Sequence, residues 1–209
     1  QPHRLRPCHA MLAQQREEIV AVVSGHTYPL RADFLRHLTS PFVNPKVQMT
    51  YGRQLPDTQT AFSERQILAR WFPASSDLQP SPTFSHNACS SIRRSLWETK
   101  PFDEHLPGLE DLEMGMWVSS RGGEIRYCPK AEIIHSHNEK WKAIRRRYER
   151  EALAFGRLYS GWKIGPLTLF KMFLLSVGND VHAAVREREN PGVFADIVRF
   201  RSAQAIGMQ

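Results

Sequence analysis

The stretch "FSHNACSSIRRSLWETKPFDEHLPGLEDLEMGMWVSSRGGEIRYCPKAEIIHSH" (Phe84–His137) decides how the chain is read. Its opening predicts a short strand leading into a helix from about Ile92 to Glu98. "KPFDEHLPG" is a loop. Leu109, Leu112 and Met116 then fall on one helical face, which predicts a helix over Leu109–Ser120. Gly122 and Gly123 stand past its end, where glycine commonly terminates a helix. "EIRYCP" and "AEIIHSH" read as two further short strands. Strands and helices that alternate in this way point to an α/β sheet flanked by helices.

Upstream, "IVAVVS" (Ile19–Ser24) is an unbroken apolar, β-branched run. Such a run suits a strand buried on both faces, as in a parallel sheet. Gly25 and Pro29 place a loop after it. Phe34, Leu35 and Leu38 predict a helix that Pro41 and Pro45 end. "KVQMTYG" (Lys46–Gly52) alternates like a strand and is expected to stop at Gly52. Phe62, Ile67, Leu68 and Trp71 predict a helix closed by Pro73, and "ASSDLQPSPT" is a polar surface loop. A short helix is also expected over Ala10–Glu18. Downstream lie a long basic helix from Glu139 to about Tyr159, the amphipathic "PLTLFKMFLLSVGNDVHAAVRERE", and a third helix over Val193–Ala205. The expected division is an α/β domain over 1–138 and a helical extension over 139–209.

The chain has 209 residues, 41% of them hydrophobic, which is enough for one sizeable core. Eleven Phe, five Trp and five Tyr argue against disorder. A net charge of +7 favours an anionic partner, and much of the excess sits in the run Lys140–Arg147. Nucleic acid is disfavoured, because no helix-turn-helix, zinc-finger or RNA-recognition signature accompanies that charge. Cys8, Cys89 and Cys128 are odd in number and form no CxxC pair, so neither a zinc ribbon nor a disulfide framework is expected, and the compartment reads as cytosolic. No apolar run reaches the roughly 20 residues of a membrane span. "LTLFKMFLLSV" contains Lys171 and suits a core helix, a contact with one membrane face or a dimer interface. The chain opens on Gln1 without a strong start, and a missing N-terminal portion is expected.

In open α/β sheets, ligands collect at the carboxyl ends of the strands. Polar clusters stand at those places here: Ser24-Gly25-His26, Gly52-Arg53-Gln54, His86-Asn87, and His135-Ser136-His137. Glu110 and Asp111 open the helix that starts at Leu109. Acids in a first turn are common, because the helix N-terminus favours negative charge. By themselves they need no further role.

This order of motifs resembles the family-2 glycosyltransferases, which have a GT-A fold, and in particular their rhamnosyltransferase-like branch. The likeness is carried by Asn87-Ala88, Arg93-Arg94, Phe102-Asp103-Glu104, Glu110-Asp111 with Glu113, Arg121-Gly122, Pro129 and His135, and upstream by "PFVNPKVQMTYGRQLP". It implies transfer of a sugar, with inversion, from a nucleotide-diphosphate donor to a hydroxyl of a glycan or lipid-linked acceptor, in surface polysaccharide or glycolipid synthesis. Asp111 would be the base and Glu110 would position it or the acceptor. A carboxylate in that first turn is expected to stay ionised and to be a weak base. His26, Asn87 and His135 would contact the donor and its diphosphate, and Arg53 and Gln54 would line the acceptor side.

The chain departs from the family at one place. Where the fold carries an Asp-x-Asp metal motif, this chain has Ser24-Gly25-His26-Thr27 and no acid. Either His26, with His135, takes part in holding Mn²⁺ or Mg²⁺, or the site works without metal. The alternative is an inactive module that binds a glycan or a partner. The implied location is cytoplasmic, at the inner face of a membrane.

Overall fold

The computed structural model describes residues 17–79 and 81–209. The helix expected over Ala10–Glu18 falls largely outside the described residues. Two compact units are present. The first takes in the described residues up to Asp57 together with Leu68–Ser136. The second takes in Thr58–Ile67 and His137–Gln209, so a stretch from within the first half groups with the C-terminal helices.

The first unit is built on a five-stranded mixed sheet of strands β1 (Ile19–Val23), β2 (Thr27–Pro29), β3 (Val47–Leu55), β4 (Cys89–Arg93) and β5 (Glu124–His135). Their order is β1-β4-β3-β5-β2. Only β3 and β5 pair in parallel. The other pairings are antiparallel. The "IVAVV" run is therefore not a doubly buried parallel strand. Among the described residues it is an edge strand pairing with β4 alone, and Val23 is exposed. Its β-branched composition suits any strand, and only pairing decides which faces are covered. The loop expected after Gly25 contains the three-residue β2, which pairs with β5.

Helices α1 (Phe34–Thr39), α2 (Phe62–Trp71), α3 (Arg94–Thr99) and α4 (Glu110–Ser120) follow where apolar residues recur at helical spacing. The core under the sheet gathers Met49, Tyr51, Ile92, Met114, Val118 and Tyr127, all buried. Tyr51 stacks on Tyr127 with ring centroids 4.9 Å apart. Across the sheet, Phe34 and Leu38 of α1 pack on Cys89, Cys128 and Ile133. Both cysteines are free, and burial pushes each thiol up to about 12, so neither is a thiolate near neutrality.

Two features were not anticipated in β3 and β5. Gly52 does not end its strand. A Cβ there would lie 2.4 Å from both the Ala131 carbonyl oxygen and the Cys89 sulfur, so β3 continues only because residue 52 has no side chain. At the same point the pairing slips from Gly52↔Cys128 to Arg53↔Glu132. Pro129, Lys130 and Ala131 bulge out, and the two short strands expected over this stretch are one bulged strand. The bulge sets which β5 residue lies beside Gln54, and hence the geometry described below.

The second unit consists of the start of α2 and helices α5 (Trp141–Leu158), α6 (Pro166–Arg186) and α7 (Val193–Gly207). Phe62 packs with Ala183, Ala184 and Ile197, and Ile144 and Tyr148 pack with Phe200 and Ala203. The buried guanidinium of Arg201 donates to both oxygens of buried Asp180, at 2.8 and 2.9 Å. Arg147 similarly donates to both oxygens of Glu64, at 3.1 and 2.8 Å. Each charge in these bidentate pairs is matched, which is the condition for burying it at tolerable cost.

Candidate active site

Strand direction brings the polar clusters together. β1, β3 and β5 run the same way and β4 and β2 run against them, so the carboxyl ends of the first three share one sheet edge with the amino ends of the other two. The segment Ser24–His26 ties this edge together. The Ser24 amide donates to the Ala88 carbonyl at 3.1 Å, and the Ser136 amide donates to the His26 carbonyl at 3.2 Å.

His135, the last residue of β5, is buried. Its Nδ1 lies 2.6 Å from Gln54 Oε1, and its Nε2 lies 2.8 Å from Nε2 of exposed His26. The two imidazole rings are 4.7 Å apart at their centroids. His26 Nδ1 in turn lies 3.0 Å from Ser24 Oγ. One proton assignment satisfies the series: Ser24 O–H donates to His26 Nδ1, His26 Nε2–H donates to His135 Nε2, and His135 Nδ1–H donates to Gln54 Oε1. Turning the Ser24 hydroxyl to accept, and moving the His26 proton to Nδ1, frees both Nε2 lone pairs toward one point.

Glu110 and Asp111 open α4, after Leu109 in the left-handed region (φ 60°, ψ 23°). For a leucine that conformation costs about 1–2 kcal/mol. It aims the helix start at the turn before β4. Gly115, one turn further on, lets α4 close on Thr83, whose carbonyl oxygen lies 2.1 Å from where a Cβ would stand. The Asn87 amide donates to Asp111 Oδ2 at 2.9 Å, and the Leu112 amide donates to Oδ1 at 2.8 Å. Asn87 Nδ2 donates to Glu110 Oε1 at 3.3 Å, while Ser90 Oγ donates to Asn87 Oδ1 at 3.0 Å.

Burial raises the Asp111 carboxyl above its ordinary range, against the opposing pull of the Asn87 and Leu112 amides. Burial also raises Glu110, and the charge of Asp111 adds to the effect, while Asn87 and His86 oppose it. The expectation that the helix terminus sets the proton affinity of Asp111 is therefore corrected. Desolvation outweighs the helix terminus here, and a raised carboxyl is the stronger base.

His86 joins the two groups. Its ring centroid lies 6.2 Å from that of His135, and its Nδ1 accepts the Ala88 amide at 3.2 Å. The neighbouring Asn87 holds both acids. His26, His135, Asn87, Glu110 and Asp111 thus share one end of the sheet. Arg53 and Gln54 do not act together, because adjacent strand residues face opposite ways. Gln54 is buried against His135, whereas Arg53 Nη1 donates to Glu132 Oε1 at 2.9 Å. Asn87 is occupied with the acids, and His137 belongs to the second unit. Sequence reading missed His86, Ser24 and Ser90 as working parts. The first two stood inside quoted clusters, and only pairing in space separates them from loop residues.

Within the first unit the donor set at the histidines is two imidazole nitrogens, a ligand type that suits Mn²⁺ better than Mg²⁺. Two nitrogens 2.8 Å apart are close enough to share one ion. Gln54 Nε2, buried beside them, has no hydrogen-bond partner among the described residues and is a donor left over for an oxygen ligand.

The mixed sheet flanked by helices is similar in fold to a solved glycosyltransferase. The structure superposes on the mannosyltransferase PcManGT from Pyrobaculum calidifontis, solved in complex with GDP-Man and Mn²⁺, with a TM-score of 0.64 and 12% identity, over 99% of this chain and 66% of that one. In sequence, the chain is 29% identical over 119 residues to the O-antigen chain rhamnosyltransferase RfbN of Salmonella typhimurium, covering 51% of this chain and 37% of that protein. It is 26% identical over 141 residues to the O-antigen chain rhamnosyltransferase WbaN of Salmonella anatum, covering 62% and 44%. The match spans less than half the length of these curated relatives. No protein-family model matches the chain.

Proposed function

We propose that this chain carries the acceptor-side machinery of an inverting glycosyltransferase of polysaccharide assembly, which moves a sugar from a nucleoside diphosphate to an acceptor hydroxyl. The observation that carries this reading is the meeting of a buried acid pair and a histidine pair at one end of a GT-A sheet, through His86 and Asn87. The sugar-transferring relatives and the fold support it.

Asp111 takes the proton of the attacking hydroxyl. Its raised proton affinity suits that role, and the Asn87 and Leu112 amides hold its orientation. Glu110, less buried, borders the acceptor and positions it or the base. His26 and His135 face the donor diphosphate, with Gln54 fixing the tautomer of His135. A divalent ion held by the two Nε2 atoms would neutralise charge on the leaving diphosphate. Without one, imidazole N–H groups and Gln54 Nε2 donate to the same oxygens. Arg53, paired with Glu132, is needed for neither role. The proposed location is the cytoplasmic side of a membrane, where a lipid-linked acceptor is presented.

A second reading has one observation in its favour. Ser24-Gly25-His26 supplies no carboxylate where the fold commonly does, which fits a module that binds a glycan without turning it over. Release of nucleoside diphosphate from a panel of sugar nucleotides, with and without a lipid-linked glycan, separates the two. Acceptor-dependent release that Asp111→Asn lowers by at least a hundredfold is expected. Binding without release, or full release by the variant, overturns the proposal.

A further inference from the structure

We infer that the outward face of α6 is a docking surface for an anionic lipid bilayer, on which the helix lies flat. Leu167, Phe170, Leu174, Leu175 and Val185 are 66, 57, 51, 67 and 62% exposed. Their spacing of three, four, one and ten residues keeps them on one side through most of the helix. The opposite side is separately occupied, with Leu169, Asp180, Ala183 and Ala184 buried. The helix is thus apolar on two faces, and its own unit covers only one. A contiguous exposed apolar strip of this kind is uncommon on a free surface and marks a contact.

Charge selects the occupant. Residues 152–179 contain Arg157, Lys163 and Lys171 and no Asp or Glu. Lys171 lies on the strip itself, one residue after Phe170, and is exposed. A second copy docked on this face would bring cations against cations. Anionic headgroups pair with each of them while the leucines enter the acyl boundary, and a lysine stem reaches from one layer to the other. Tyr159 and Trp162 are exposed just before the helix, and such side chains favour the headgroup level. No helix among the described residues is long and apolar enough to cross a membrane, so the contact lies on the surface.

The test is co-sedimentation with vesicles of phosphatidylcholine alone and of phosphatidylcholine containing phosphatidylglycerol. The wild-type chain is expected to bind the anionic vesicles at least tenfold more strongly, and to release as salt is raised. Leu174→Glu with Leu175→Glu should lower that binding at least tenfold while leaving the circular dichroism spectrum unchanged, since both side chains are exposed. Lys163→Glu with Lys171→Glu should remove the preference for anionic vesicles. Equal binding by wild type and the leucine variant overturns the inference. So does a wild-type dimer in sedimentation velocity that the leucine variant dissociates, because the face then belongs to a second copy. None of these readouts uses sugar transfer, so the docking surface and the proposed function fail separately.

Discussion

Replacing Asp111 by Asn tests the electrostatics of the acid pair through stability alone. In the wild type the carboxylate accepts from the Asn87 amide at 2.9 Å and from the Leu112 amide at 2.8 Å, one on each oxygen. Asparagine offers one acceptor oxygen, so one of the two amides faces an NH₂ group and is left unpaired, at a cost of about 1–3 kcal/mol. Against this stands the cost of ionising a buried acid. The proton affinity of Asp111 is raised in the folded state by burial, so the folded chain holds that proton more tightly than the unfolded chain, where the group titrates near about 3.9. Stability from this source is fully present below the unfolded value and is lost as pH rises through the folded one, at about 1.4 kcal/mol for each unit of elevation. The carboxamide of the variant does not titrate. Urea unfolding should therefore find the variant less stable by about 1–3 kcal/mol near about pH 4, with the difference shrinking or reversing by about pH 8. Curves for the two proteins that run parallel across that range would refute the reasoning, because Asp111 would then ionise as readily folded as unfolded.

Two further outcomes follow from the same structure. His26→Ala removes an exposed imidazole that touches buried His135, and donor affinity in calorimetry with sugar nucleotides and Mn²⁺ should fall at least the roughly tenfold that loss of even an outer-shell partner costs; unchanged affinity takes His26 out of the site. Gly52→Ala drives a methyl to 2.4 Å from Ala131 O and Cys89 Sγ, and the urea midpoint should drop by an amount worth about 1–3 kcal/mol or more, whereas an unchanged midpoint denies the close approach.

The helices and the existence of most strands were legible, because each is marked by its own periodicity and by Gly or Pro at its ends. The convergence of polar clusters was also legible, since strand ends of an α/β sheet are where such clusters meet. Facts that depend on pairing were not legible. "IVAVV" has the composition of a buried strand, but an edge position leaves Val23 in solvent. Gly52 looks like a terminator in one dimension, and only the approach of Ala131 and Cys89 shows that it permits continuation. The bulge at Pro129–Ala131 has no local signature that tells it from a turn between two strands. Arg53 and Gln54 are neighbours in sequence, yet they serve opposite faces. The proton affinity of Asp111 was misjudged because the helix terminus is visible in sequence while desolvation is not.

The two halves of the site differ in charge, and this bears on how it handles a diphosphate. In a site lined by paired carboxylates, a metal must first cancel the acids before a polyanion can enter. On the proposed reading the donor-facing groups are His26, His135 and Gln54, none of which is an acid, and the acids are held apart on α4 by Asn87 and its neighbours. The negative charge on that side is also restrained, because burial favours protonation of both carboxyls. A diphosphate approaching the histidines therefore meets N–H donors with little repulsion to overcome. An ion held by His26 and His135 would add attraction without being the condition of entry. If the proposed site is right, donor binding measured by calorimetry should weaken without being abolished when divalent ions are chelated, whereas His135→Ala, which removes the link between Gln54 and His26, should abolish it.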